Sequence, residues 1–415
     1  MKKQESLFEI ARVKRFNLSI WAVLIGTLLA RTSYFMAWPF LVVFLYNDYG
    51  ATAFQVGAML ATSAVVGSIT GLYSGYLSDK FGRRGIMTLG AAIAMLSYAG
   101  IGSANELWQF PLLLIFTGLM RPMIEAPAKA VLGDNLEDRK DRELAMNIRY
   151  FLLNLGGALG PLIGITLALA EPQHLFHLTG ATYFVYAIWI FTCIKGKPAV
   201  DKNASSQLPN FKDTVKVISE DKIFTRLLFA NFLMMFVYSQ LESSLPQVIV
   251  RLDIPDAASL IAGLVLVNAI TIIVFQFPLL KKMEHIPLFK RTRIGMALMG
   301  LAQIGFILTP ADWPTGWLIA CFVLSIGEVI AFPTLGVQID QLAPPHLRGS
   351  YFGATGLCAL GFAAGPIVGG AAIDNLSPAW LFAGCGLLCL TMIWLYLQVE
   401  KRTQETEQEP SVQGA

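Results

Sequence analysis

Long apolar runs, each closed by a short polar or charged stretch, follow one another along nearly the whole chain. A helix needs about 20 apolar residues to cross a hydrocarbon layer about 30 Å thick, and runs of that order recur twelve times. They cover Leu18–Tyr46, Phe54–Leu77, Gly85–Ser103, Leu107–Gly133, Leu144–Ala170 and Leu175–Lys195, then Arg226–Arg251, Ser259–Leu280, Ile294–Pro310, Thr315–Asp340, Ser350–Asp374 and Ala379–Val399. Lipid offers the backbone no water to bond to, so runs this long are helices rather than open strands. The pattern predicts an all-α polytopic membrane protein with twelve transmembrane helices in two sets of six.

The two sets are separated by the one long polar interior segment, Lys195–Lys222, which opens with the linker-like KGKPAVDKNASSQLPN. Its Asn210–Ser219 portion is expected to lie as a short amphipathic helix on the membrane surface. The implied organisation is an N-terminal six-helix bundle over 1–194, a cytoplasmic linker over 195–223, a C-terminal six-helix bundle over 224–400 and a disordered cytoplasmic tail over 401–415, acidic at Gln404–Glu409.

The halves are copies. Gly156, Gly160, Pro161 and Gly164 of GGALGPLIG return 205 positions later as Gly361, Gly365, Pro366 and Gly369 of GFAAGPIVG. Pro127 and Asp134 return as Pro333 and Asp340 with a shift of 206, and Pro39 as Pro246 with a shift of 207. A nearly constant offset across three helix pairs marks a duplication into two six-helix halves in parallel repeat.

Composition agrees with the pattern: 55% of residues are hydrophobic and 14% charged, against about 25% charged in soluble domains. The net charge of +3 follows topology and gives no reason to expect nucleic acid. Lys and Arg fill the N-terminal segment, the Gly75–Arg84 and Arg139–Arg142 loops, the linker, the Lys281–Arg293 loop and the C-terminal segment, while Arg251 is the clear exception on the other side. The positive-inside rule therefore predicts cytoplasmic termini. The first sixteen residues are polar and basic and the first run is long, so no cleavable leader is expected. The five cysteines lie inside apolar runs without ligand spacing and read as packing residues, with no metal site. No Walker loop, zinc-spaced cluster or nucleophile elbow is visible, which argues against an enzyme.

The tightest charge cluster, GYLSDKFGRR, sits between the second and third runs. Gly75 removes a side chain where a helix must approach a neighbour, and Asp79 is suited to face the positive N-terminal end of another helix. Simple topological anchoring by Lys80, Arg83 and Arg84 is the plainer alternative. Gly75, Asp79, Gly82, Arg83 and Arg84 match the G-x-x-x-D-x-x-G-R-R/K signature of the major facilitator superfamily, which the chain therefore resembles. Gly156, Gly160, Pro161 and Gly164 resemble the fifth-helix signature of its drug:proton antiporter branch. The resemblance implies alternating access, no cofactor beyond the proton as coupling ion, a small-molecule substrate, and a protein working in the bacterial cytoplasmic (inner) membrane, as a monomer. It also implies that Asp79 meets helix eleven near Ser350 and that Arg83 pairs with a carboxylate such as Asp134, latching the cytoplasmic side.

Five ionisable residues lie deep in apolar runs: Arg31, Arg121, Glu125, Glu242 and Glu328. Each costs at least about 2.5 kcal/mol at a helix centre, which marks them as functional candidates. Arg121 and Glu125 are four apart and can pair, as a structural ion pair or as part of a site. Arg31 has no carboxylate in its own helix and needs one from another helix or from the substrate. Buried carboxyls can exchange protons at cellular pH whereas arginines stay charged, so proton coupling falls to Glu242, Glu328 and Glu125. The contexts SQLESSLPQV and SIGEVIAFP resemble those of multidrug exporters with acidic residues in helices seven and ten. Further pocket candidates are Tyr34, Trp38, Phe40, Asn154, Tyr238, Gln240, Asn268 and Gln276, whose aromatic and amide groups suit a mainly apolar site. The expectation is a proton-coupled exporter of small, largely apolar compounds. The alternative is a dedicated exporter or importer of an anionic or zwitterionic metabolite held by Arg31 and Arg121. A ligand sensor without turnover and a passive channel are disfavoured, because the polar extensions are short and the chain is duplicated.

Overall fold

As far as its residues are described, each apolar run is mainly helical, and the helix often extends beyond the run, because caps and helix-forming residues carry it beyond the oil. The computed structural model describes residues 6–7, 9–168, 172–195, 210–252, 254 and 257–408; among them the regular structure is helix, with no strand. After a single turn at Ile10–Val13 come α1 (Leu18–Tyr49), α2 (Ala53–Phe81), α3 (Arg83–Ser103), α4 (Gln109–Asn135), α5 (Arg139–Ala168) and α6 (Pro172–Cys193). The second half contains α7 (Phe211–Glu220), α8 (Lys222–Glu242), α9 (Ser244–Arg251), α10 (Ala257–Lys282), α11 (Leu288–Leu308), α12 (Pro314–Leu342), α13 (Arg348–Ala354), α14 (Ala359–Asn375) and α15 (Pro378–Gln408).

The starts are written locally. The Asn17 side chain accepts from the Ile20 amide at 3.1 Å, Thr52 and Gln55 form a reciprocal capping box, and Asp221 accepts from the Ile223 and Phe224 amides. Each satisfies first-turn donors that the helix cannot. Eight helical spans among the described residues are long and apolar enough to cross a membrane. α2, α4, α5 and α11, of 29, 27, 30 and 21 residues, stand where the other four runs are expected. Exposed apolar side chains such as Leu308, Ile367 and Trp380 suit a surface solvated by lipid.

The chain forms two compact units. The N-terminal unit is Glu9–Val215 with Ala343–Gly356; the C-terminal unit is Lys216–Leu342 and Leu357–Ala415 with Met1–Phe8, in each case as far as the residues are described. In the first, α1 packs on α5 and α6, α2 on α4, and α3 on α4 and α6. In the second, α8 packs on α14 and α15, α10 on α12, and α11 on α12 and α15. Each of these pairings of the first unit has its counterpart in the second, so the 205–207-residue repeat of the sequence is a repeat of its main packing. The glycine motif shows why. A methyl at Gly160 would lie 2.7 Å from Phe35 Cβ and from the Thr32 carbonyl of α1, and one at the counterpart Gly365 only 1.7 Å from Ser239 Oγ of α8. Both helices need a bare face there.

The runs and helices differ in several places, of which four bear on the site and its surroundings. The seventh run divides into α8 and α9 at Ser243, just ahead of Pro246, whose ring fits only the first turn of the new helix. The eleventh divides into α13, a 3-10 turn at Thr355–Cys358, and α14. α5 begins at Arg139, five residues before its apolar run. The segment after Val399 continues α15 to Gln408 rather than leaving the helix, being built from the strong helix formers Lys, Arg, Gln and Glu; 409–415 lie outside the described residues, as does most of the linker, 196–209. The surface helix is present as α7, with Thr214 and Ile218 buried four residues apart and Phe211 set edge-on against Tyr73 at 5.1 Å.

Candidate functional site

In the N-terminal unit, α1, α4, α5 and α6 surround a cavity lined by Arg31, Tyr34, Arg121, Glu125, Arg149, Tyr183 and Tyr186 among others. Its free volume is about 40 Å³, room for a water or two but far below the 300–1,000 Å³ typical of drug-sized pockets. Arg121 Nε donates to Glu125 Oε1 at 3.0 Å, as the spacing of four predicts, and the pair is partly exposed, with side-chain exposures of 52% and 34%. Arg31 is held with its guanidinium carbon 4.4 Å from the Phe35 ring centroid, a cation–π contact. Tyr34 stacks on Trp38 at 5.1 Å, so Trp38 supports the wall without lining the cavity.

Arg149, absent from the sequence-based candidates, completes the charge set. It is 5% exposed and its Nε has no hydrogen-bond partner. Nε of Arg31 and the hydroxyl of Tyr186, itself 1% exposed, also lack partners. Three guanidiniums therefore face one carboxylate. The glycine motif of α5 sets this geometry: a methyl at Gly156 would lie 3.0 Å from Arg31 Cβ, so the bare position lets α1 bring Arg31 close to the helix that carries Arg149. Because α5 starts at Arg139, Arg149 sits ten residues in, about 15 Å along the helix at 1.5 Å per residue. Read from the apolar run alone it looks like an end anchor. Asn154 does not line the cavity; its Nδ2 bonds back to the Tyr150 carbonyl at 2.9 Å.

The candidates of the C-terminal unit keep separate neighbours. Glu328 is 2% exposed and accepts from Asn268 Nδ2 at 2.7 Å, while the same amide donates to Ser325 Oγ at 3.0 Å. Glu242 is exposed at the last residue of α8, one position before the break. Tyr238 meets the Phe332 ring edge-on at 5.1 Å. Gln240 is buried, accepts from Ser244 Oγ at 2.5 Å and donates to the Phe236 carbonyl, bracing the break.

The GYLSDKFGRR cluster forms a buried network inside the N-terminal unit. Asp79, 1% exposed, accepts from the Gly349 and Ser350 amides at 2.9 and 2.7 Å and from Ser350 Oγ at 2.6 Å. Arg83 pairs with Asp79 and donates Nε to Asp134 at 3.1 Å. Asp134 also accepts from Arg348 at 2.7 Å, a partner the sequence reading missed. A side chain at Gly75 would place its Cβ 2.1 Å from the Gly349 carbonyl, so only glycine admits α13 this close. Gly82 joins α2 to α3 with φ +92° and ψ 148°, a region open essentially to glycine. Arg84 stands outside the network, 4.8 Å over the Phe191 ring.

A duplicated bundle of long apolar helices, with charge held around an interior cavity, defines a multi-pass membrane protein that handles small solutes. Residues 23–359 match the Major Facilitator Superfamily, and the chain belongs to that family of transporters rather than to an enzyme family. It is 31% identical over 391 residues to the MFS-type transporter YqjV of Bacillus subtilis (strain 168), covering 92% of this chain and 95% of that one. It is 26% identical over 376 residues to the multidrug resistance protein MdtH of Escherichia coli (strain SE11), covering 88% and 87%. Among solved structures it resembles the human organic anion transporter MFSD10 (TETRAN), with a TM-score of 0.74 at 19% identity over 91% of this chain and 99% of that one. At that identity the likeness concerns the fold alone.

Proposed function

We propose that the protein is a proton-coupled secondary active transporter of the bacterial inner membrane, crossing it twelve times with cytoplasmic termini and working by alternating access. The single observation that carries this is the convergence of Arg31, Arg121, Glu125 and Arg149 on one cavity inside a duplicated transporter fold. Charges that cost this much to bury are retained for a solute or a proton. Protons are carried by Glu328, Glu242 and Glu125, since the guanidiniums do not titrate. Asp79, Arg83 and Asp134 hold the α13 segment, contributed by the second half of the sequence, and its release accompanies the change of access state.

Two substrate classes are supported by different facts. The relative named as a multidrug resistance protein favours export of small, largely apolar compounds. The excess of guanidiniums favours an anionic or zwitterionic metabolite. Flux into reconstituted vesicles of a lipophilic cation such as ethidium and of small carboxylates, with an imposed pH gradient, on wild type and Arg31→Ala, separates them. Gradient-driven movement of neither class by wild type would contradict the transporter reading.

A further inference from the structure

Three donors around the cavity lack an acceptor: Nε of Arg31, Nε of Arg149 and the Tyr186 hydroxyl. A buried donor left unpaired costs about 1–3 kcal/mol, and more when it is charged. Arg121 is neutralised by Glu125, and its half-exposed side chain places that pair at the mouth. Arg149 is the opposite case, 5% exposed with no such bond at Nε. A water or two within 40 Å³ can accept hydrogen bonds but brings no charge, so three guanidiniums around one carboxylate leave an excess of two positive charges in a low-dielectric wall. The two guanidinium nitrogens can only donate and the Tyr186 hydroxyl can donate with them, so the missing group is an acceptor, and the charge balance makes it an anion.

We infer that the cavity is an oxyanion site: a carboxylate or phosphate group of a small organic substrate seats between Arg31 and Arg149, takes the Tyr186 hydroxyl as a third donor, and depends on Arg149 for its selection. This rests on the transporter reading and names its substrate class. Guanidinium forks match planar carboxylates and phosphates and strengthen when water is excluded. Arg149 is then a binding residue kept at the expense of the ligand-free fold, since removing an uncompensated buried charge relieves desolvation.

The test uses the full-length chain in detergent at constant ionic strength set with sodium chloride. Its thermal midpoint is followed with sodium benzoate, succinate and inorganic phosphate at about 10 mM, tenfold above a Kd of about 1 mM, with tetraphenylphosphonium as the cationic control. At least one anion should raise the midpoint while the cation does not, with the carboxylates and phosphate ranking the two headgroup chemistries. Arg149→Gln should weaken anion binding at least tenfold and leave the ligand-free midpoint equal or higher. Tyr186→Phe, which removes only a hydroxyl, should weaken binding severalfold and covers the case in which Arg149→Gln does not fold. The inference is overturned if no anion exceeds the chloride baseline, if both variants bind as wild type does, or if folded Arg149→Gln is less stable without ligand, which marks a structural charge. Gradient-driven flux of wild type in vesicles decides the transporter reading separately, so retained flux with no anion effect sinks the oxyanion site alone.

Discussion

Asp79→Asn is the sharpest probe of the cytoplasmic network. The wild-type carboxylate, 1% exposed, takes two backbone amides and the hydroxyl of the Gly349–Ser350 pair, together with Arg83. An asparagine keeps one oxygen, for the Gly349 amide and Arg83. Its NH2 group faces two donors of Ser350, and Arg83 and Arg348 are left to share the single carboxylate of Asp134. Breaking a buried pair of this kind costs about 3–5 kcal/mol. At about 1.4 kcal/mol per factor of ten, the amides of 343–356 should exchange with deuterium roughly a hundred- to several-thousand-fold faster whenever they open independently of the whole fold. Peptide-resolved hydrogen exchange on the reconstituted protein reads this directly, with a peptide from α10 as the internal reference. Unchanged exchange of 343–356 in Asp79→Asn would refute the assignment of Asp79 as the anchor of α13.

Glu328→Gln keeps an acceptor for Asn268 but cannot carry a proton, so gradient-driven flux should fall at least tenfold while gradient-free exchange of the same compound persists; equal driven flux rules Glu328 out as the coupling residue. Gly160→Ala puts a methyl 2.7 Å from Phe35 Cβ and the Thr32 carbonyl, and overpacking of about 1–3 kcal/mol should lower the thermal midpoint in detergent. Gly82→Ala at φ +92° should cost about 1–3 kcal/mol, seen in the same melt. Arg12→Ala leaves Asp141, whose side chain is 5% exposed, without its main partner at 2.5 Å; faster exchange at 10–16 should follow, since a buried carboxylate losing its cation costs several kcal/mol.

Much of this architecture was legible in the chain. Hydropathy located the long apolar helices and the 205–207-residue offset gave the duplication, because these features depend on length and period; the partners of Asp79 and Arg83 came from the family resemblance that GYLSDKFGRR carries, since Ser350 lies 271 residues from Asp79. What escaped depends on contacts made in three dimensions. Arg149 was overlooked because hydropathy marks only the oily part of a helix, and α5 begins outside it. Arg348 lies before the apolar run of α14 and 214 residues from Asp134, so no local spacing announces their pairing. The breaks at Ser243 and at Thr355–Cys358 had weak signals, Pro246 and Gly353 with Gly356, which also occur in unbroken membrane helices. Residue type alone makes Trp38 and Gln240 binding candidates; the first braces the cavity wall and the second the α8–α9 break, roles that composition cannot distinguish from binding.

The central claim, transport of a solute at the expense of a proton gradient, is tested most directly in sealed proteoliposomes containing only this chain. A labelled compound from an anion and lipophilic-cation panel is followed with an imposed pH gradient, without nucleotide, before and after a protonophore. The account predicts accumulation against the compound's own gradient that collapses on adding the protonophore. Movement only down the compound's gradient, at a rate indifferent to the pH difference, would contradict it.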